Sequence, residues 1–219
     1  MLAGGLMGPL GEAGSQFQEK SKMTATSEND PLLTALSDRF PEEAACLCRL
    51  VRTCFRMVNP RFEEIDMEGE SKEECLLTAF GERIVLPARS GPSGGWNDRS
   101  LRLETGEYYS MPPVIWHLMR LAETRGRFVP DLALEEALRS VLGEDTAQTA
   151  ALFWEASKHA QRNHVEAGLF AVLARNLDLD LDVHETLDRY VLLGIASPYA
   201  KADVNTGLVW YEINPCLFW

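Results

Sequence analysis

The sequence predicts an α+β protein, mostly helical, that finishes on a β-ribbon. Three observations carry that prediction. Apolar residues recur at helical spacing across 31–58 and again from Met111 to Leu193. Leu208-Val209-Trp210-Tyr211-Glu212-Ile213 is a strongly β-prone run. Pro41, Pro112 and Pro113 stand where helices start, and Gly126, Gly143 and Gly194 where they stop.

The chain has 219 residues, 46% hydrophobic and 25% charged, which suits one large domain or two small ones. Composition divides it into a tail at 1–30, a small α+β region at 31–110 and a helical region at 111–219. The tail is rich in Gly, Ser, Thr, Glu and Met with no apolar period and is expected to be disordered, and Met23 reads as a natural start. A net charge of −12 repels phosphate backbones at long range. That counts against nucleic-acid binding by the whole surface, while a local basic patch or a place in a larger basic complex stays open. Five cysteines match no disulfide framework. No secretory leader stands at 1–11, and no apolar stretch reaches the roughly 18 residues of a membrane span. A cytoplasmic protein with no membrane contact is expected.

Asp30-Pro31 opens the first helix, with Leu32, Leu33 and Leu36 leading to Phe40 and a break at Pro41. Glu42 and Glu43 suit the positive end of the next helix dipole. Ala45, Cys48, Leu50, Val51, Cys54, Phe55 and Val58 follow at helical spacing until Asn59-Pro60. Cys75 to Phe80, Gly81-Glu82 and Arg83 to Pro87 read as a β-hairpin around a glycine turn. Ser90-Gly91-Pro92-Ser93-Gly94-Gly95 lies in a loop, and Leu101 to Glu104 with Tyr108-Tyr109 reads as a second short hairpin. Pro112-Pro113 then starts a helix carrying Val114, Ile115, Leu118, Met119 and Leu121. Asp131 is expected to cap the next, which buries Leu134, Ala137, Leu138, Val141 and Leu142. A third helix is expected from about Thr146 to Arg162, and a fourth from Val165 to Leu177.

Asp182-Val183-His184-Glu185 reads as a capping box, in which Asp182 accepts from the third helical N–H and Glu185 reaches back to the cap. The helix it starts is expected to bury Leu187, Tyr190, Val191 and Leu192 and to stop at Gly194. Ile195 to Ala200 leads to a polar tip from Lys201 to Gly207, and the β-prone run returns. Helix, helix and two-stranded wing make the winged-helix order, a variant of the helix-turn-helix. The predicted fold is therefore α+β, mostly helical, with a C-terminal winged helix over about 145–219 after an N-terminal helix and β-hairpin region. "LDRYVLLGIASPY" resembles the recognition helix and first wing strand of many bacterial winged-helix proteins. "GLVWYEINPCLFW" is similar to the wing and tail of winged-helix plasmid replication initiators. The resemblance implies a DNA-binding protein of bacterial, plasmid or mobile-element origin.

Charge pulls the other way. A DNA-reading helix usually exposes Arg, Lys, Asn, Gln, Ser or Thr. Here the positions are His184, Glu185, Thr186, Asp188 and Arg189. From Asn176 to Trp219, seven acids stand against Arg189 and Lys201, so the charge suits a protein-binding winged helix. The most basic local stretch holds Lys158, Arg162, His164 and Arg175. The candidate nucleic-acid contacts are thus Lys158, Arg162, His164, Arg175, Arg189 and Lys201. Trp96 beside the glycine loop, if exposed, and Trp210 in the wing are candidate partner anchors.

No cofactor or metal is expected. Asp178, Asp180 and Asp182 are spaced as in a calcium loop, but loop positions six and twelve are Val183 and Arg189 instead of Gly and Glu. That segment reads as a short strand leading into the cap. Cys46, Cys48 and Cys54 form no CxxC pair and share no helical face, so they read as core. The glycine loop lacks the Lys-Ser/Thr of a phosphate-binding loop, and the chain has no GxSxG or HExxH. The expected function is that of a non-enzymatic winged-helix subunit of a prokaryotic DNA- or RNA-handling complex, binding nucleic acid or partner proteins. One alternative is a sequence-specific DNA-binding replication or transcription factor. Another is an enzyme built on 31–110, with a deep pocket lined by His117, Glu82 or Arg83.

Overall fold

A computed structural model describes residues 30–67, 71–88, 95–199 and 209–219. The expected tail up to residue 29, most of the glycine loop and the polar tip with Lys201 lie outside the described residues. The fold is α+β and mostly helical, as the periodicity predicts.

Helix α1 (Pro31–Arg39) starts on a proline, whose missing N–H costs nothing in a first turn. It buries Leu32, Ala35 and Leu36. Helix α2 (Ala44–Arg56) turns Leu47, Leu50, Val51 and Cys54 inward and keeps its arginines on the other side. Val58, expected in that core, lies beyond the helix and is exposed.

Helix α3 (Lys72–Gly81) occupies the stretch expected as the first hairpin strand. A short continuous apolar run suits a strand or a buried helix equally well. The cap decides: Ser71 Oγ accepts from the Glu74 N–H at 3.2 Å, and Cys75, Leu76 and Ala79 face the core while Leu77 is exposed. Neither expected hairpin forms, and a single ladder joins the second strand of one to the second strand of the other. Strand β1 (Leu86–Pro87) pairs antiparallel with β2 (Tyr109–Ser110), Leu86 opposite Ser110. Tyr109 is fully buried, and its hydroxyl donates to the Arg102 carbonyl, which ties down the 101–108 loop.

Helices α4 (Pro113–Arg125) and α5 (Pro130–Leu142) pack on each other. Val129 takes the cap position of α5, so Asp131 falls in its first turn, and Val141 is exposed. Helix α6 (Ala147–Ser157) stops short of Arg162. Arg162 and Asn163 adopt left-handed φ values of 50° and 67° and turn the chain into strand β3 (His164–Glu166). Val165 therefore belongs to a strand, and helix α7 (Ala167–Asn176) begins after it.

Helix α8 (Val183–Leu193) is capped by Asp182, whose carboxylate accepts from the His184 N–H at 2.8 Å and the Glu185 N–H at 3.1 Å. The other half of the expected capping box is absent, because the Glu185 carboxylate pairs with Arg189 one turn along. The buried stripe is Leu187, Tyr190 and Leu193, which leaves Val191 and Leu192 outside. The Tyr190 hydroxyl donates to the Thr149 carbonyl at 2.6 Å and ties α8 to α6. Gly194 ends the helix at φ 70°, where an added Cβ would lie 2.4 Å from Pro112 Cβ. The Asp178 to Asp182 segment forms no strand, and Asp178 itself is left-handed at φ 53°.

Strand β4 (Ala196–Tyr199) pairs antiparallel with β5 (Trp210–Ile213), Ala196 opposite Ile213. β3 pairs antiparallel with the other edge of β5, His164 opposite Glu212, so the sheet order is β3-β5-β4. One apolar core runs from Leu36 of α1 through Leu118, Leu134 and Phe153 to Ile213 and Leu217. It crosses residue 110 without a seam, and Pro31–Trp219 form one compact unit. All five cysteines are buried, in keeping with a core role. Among the described residues no helix is long and apolar enough to cross a membrane.

Candidate functional site

The three-stranded sheet positions much of the C-terminal chemistry. Alternation along its strands sends Val165, Ile213 and Ala196 into the core. Register then sets His164, Glu212 and Ser197 side by side on the opposite face. That face is covered by the turn at Trp96–Asp98. The Trp96 N–H donates to Ser197 Oγ at 2.9 Å, and Asn97 Nδ2 donates to Glu212 Oε2 at 3.2 Å. Gly95 is required there, since a Cβ would sit 1.9 Å from the Pro198 carbonyl oxygen. Trp96 is 4% exposed, so the exposure that a partner anchor needs is missing and the residue is core.

Arg83 reaches into the same cover. Its Nε donates to Glu212 Oε1 at 3.1 Å, its Nη2 lies 3.0 Å from the same oxygen, and Nη2 also donates to Asn97 Oδ1 at 3.2 Å. The guanidinium lies 5.1 Å from the Phe80 ring centroid. Buried Asn214 closes the arrangement, donating to the Gly194 carbonyl and accepting from the Cys216 N–H. Neither Glu212 nor Asn214 is a local sequence signal, because their partners lie far along the chain.

The expected cations are dispersed and partly neutralised. Lys158 Nζ donates to Glu155 at 2.6 Å, and that bond holds the Glu155 carboxyl below its usual range. Arg162 is exposed in the turn before β3. His164 is half-buried, donates from Nδ1 to the Arg162 carbonyl at 2.7 Å, and packs edge-on against Tyr199. Arg175 is exposed near the end of α7 and donates to the Ala171 carbonyl of its own helix. Arg189 pairs with Glu185 in a polar cavity of about 280 Å³ that also holds Asp145, Asp180 and Asp182. Trp210 is half-buried, opposite Tyr199 and Glu166 on its neighbouring strands. So Lys158, Arg162 and His164 share the turn between α6 and β3, while Arg175 and Arg189 stand on other elements.

The solvent side of α8 carries His184, Glu185, Asp188, Val191 and Leu192, all exposed. Leu192 is 67% exposed, the most of any α8 apolar residue. The signal was present in Val191-Leu192-Leu193, since one helical face cannot bury three consecutive residues.

A second concave site lies between α2 and α4. Its cavity of about 440 Å³ is lined by Cys54, Phe55, Val58, Met111, Trp116 and His117. The Arg120 guanidinium stands 4.8 Å from the Phe55 ring centroid and 5.2 Å from that of Trp116. His117 Nδ1 lies 3.2 Å from Glu136. Burial pushes the Cys54 thiol up to about 12, far from thiolate reactivity at neutral pH. Arg83, held by Glu212, and Glu82 do not line this cavity. Among the described residues no three His, Cys, Asp or Glu side chains gather to hold a metal ion.

A protein-family model matches residues 41–218, so the chain belongs to that family, to which no function is attached. No curated protein and no solved structure matches the chain.

Proposed function

We propose that α6 to β5 form a winged helix, and that this domain is a non-enzymatic protein-docking module in a prokaryotic DNA- or RNA-handling complex. The order helix, strand, helix, helix, strand, strand supports the winged-helix reading, as does the placing of the last strand between the other two. In that reading α8 is the recognition helix, and β4 and β5 are the strands of the wing.

One observation carries the choice of partner. The recognition helix turns Glu185, Asp188, Val191 and Leu192 to solvent, and its one arginine is paired with Glu185. Phosphate contact releases counterions only where basic side chains meet the backbone, and this face offers carboxylates. Exposed Val191 and Leu192 beside acids suit a protein partner with an apolar anchor and a basic rim. In this reading Trp210, on the same sheet face as Glu212, is part of the sheet and not of the docking face, Lys158, Arg162 and Arg175 are solvated surface, and His164 is packed against Tyr199.

The test is charge reversal at the reader positions. Arg189→Glu and Lys201→Glu are expected to leave affinity for double-stranded DNA unchanged in a low-salt gel-shift. A tenfold weakening would favour the sequence-specific DNA-binding factor instead.

A further inference from the structure

We propose that the cavity between α2 and α4 binds a small uncharged molecule, apolar but for one hydroxyl, which donates to Nε2 of His117. This site lies outside the docking module and does not depend on it.

Chain order builds the site. Helix α2 carries Cys54 and Phe55 in its last turn, and Val58 follows just past the helix end. Met111 leads into α4, whose first residues include Pro113, Trp116 and His117. The cavity of about 440 Å³ between these segments is within the size range of small-molecule sites, and its walls are mostly apolar. Val58 is 85% exposed and Trp116 is exposed as well, so apolar side chains that line the cavity stand open to water.

His117 supplies the polar anchor. Its Nδ1 lies 3.2 Å from Oε2 of Glu136 on α5. A carboxylate only accepts, so Nδ1 carries the proton and Nε2 of the neutral ring keeps its lone pair. Nε2 has no partner among the described residues, and the side chain is partly open to solvent. Among the described residues no Asp, Glu, Lys or Arg lines the cavity, and burial keeps the Cys54 thiol protonated. Arg120 covers the Phe55 and Trp116 rings and donates to Glu123 at 2.8 Å, so its charge is already engaged and the two rings serve as apolar wall. An ionic ligand finds no counter-charge here. A neutral one with a single O–H meets the Nε2 acceptor and covers the apolar wall. A partner helix would instead need a row of apolar subsites.

The experiment titrates the nitrogen-labelled full chain with 4-ethylphenol and follows the indole N–H resonance of Trp116 by NMR. Trp116→Phe assigns that resonance. It is expected to shift saturably, and the phenol to bind about fivefold more tightly than its matched methyl ether, 4-ethylanisole, which is the scale of one hydrogen bond. His117→Phe keeps a planar ring and is expected to abolish that preference. Val58→Asp, on the surface and safe for folding, is expected to weaken the phenol about threefold or more by setting a charge against apolar walls. No partner protein is present, so a failure of the docking module does not alter the readout. An unmoved Trp116 resonance, equal affinities for phenol and ether, or an unchanged preference in His117→Phe would overturn the proposal. So would tighter binding of 4-ethylbenzoate than of the phenol, since that result needs a free cation at the site.

Discussion

Arg83 and Glu212 meet at 3.0 Å although 129 residues separate them in sequence. Both side chains are 11% exposed, and Asn97 bonds to each. The pair joins the turn after α3 to the middle strand of the three-stranded sheet, so the C-terminal sheet is built into the rest of the fold.

Removing one partner of such a pair should cost more than the pair contributes, because the other charge is left desolvated. Glu212→Gln is expected to lower stability by about 2–3 kcal/mol, somewhat under the fully buried case because some solvent remains. The double change Arg83→Met with Glu212→Leu should recover more than half of that loss. Urea denaturation of the three variants checks both statements. An unchanged midpoint in Glu212→Gln would mean that the ion pair contributes nothing.

Among the described glycines, Gly95 and Gly194 are the two where an added Cβ would come closer than 3 Å to a neighbour. Gly95→Ala should force the 95–98 turn off the sheet at a cost of about 2 kcal/mol, the usual scale of overpacking. Trp96 would then gain solvent, so its emission should shift to the red. Unaltered emission with unaltered stability would contradict the close approach.

The Asp182 carboxyl is held below its ordinary value of 3.8, first by the Glu185 N–H and then by the His184 N–H. A depressed carboxyl contributes stability above its unfolded value and loses it as pH falls through the folded one. Asp182→Ala should therefore melt below the wild type at pH 7, and the two Tm values should converge as pH drops below about 3.8. A gap of the same size at both ends of the titration would contradict the capping role.

All five thiols are buried, and burial raises those of Cys54 and Cys216. The native chain should react with none of its cysteines in a thiol assay, and with all five once unfolded. A fast-reacting thiol in the native state would show that one of these sites opens locally.

The legible parts of the fold are those written in local signals. Pro31, Pro113, Gly126 and Gly194 mark helix ends by backbone conformation and Asp182 by its capping carboxylate, and α1, α4 and α8 stand where those residues put them. The pairing of β4 with β5 was legible too, because a short polar tip separates two β-prone runs. The illegible parts depend on distant partners. Val165 fits a helical period and becomes a strand because β5 offers it an edge. Trp96 sits in a loop of small residues, and nothing nearby announces that the outer face of the sheet needs covering.

The account turns on what the exposed face of α8 touches. The direct measurement is cross-linking mass spectrometry on the tagged chain isolated from its own cells, with wild-type α8 and with Leu192→Asp. Leu192 is exposed, so the substitution should leave stability within about 0.5 kcal/mol. The account predicts protein cross-links at Glu185 and Asp188 in the wild type and their loss in Leu192→Asp. Wild-type cross-links persisting in Leu192→Asp, or α8 cross-linking to nucleic acid and losing it in Arg189→Glu, would contradict it.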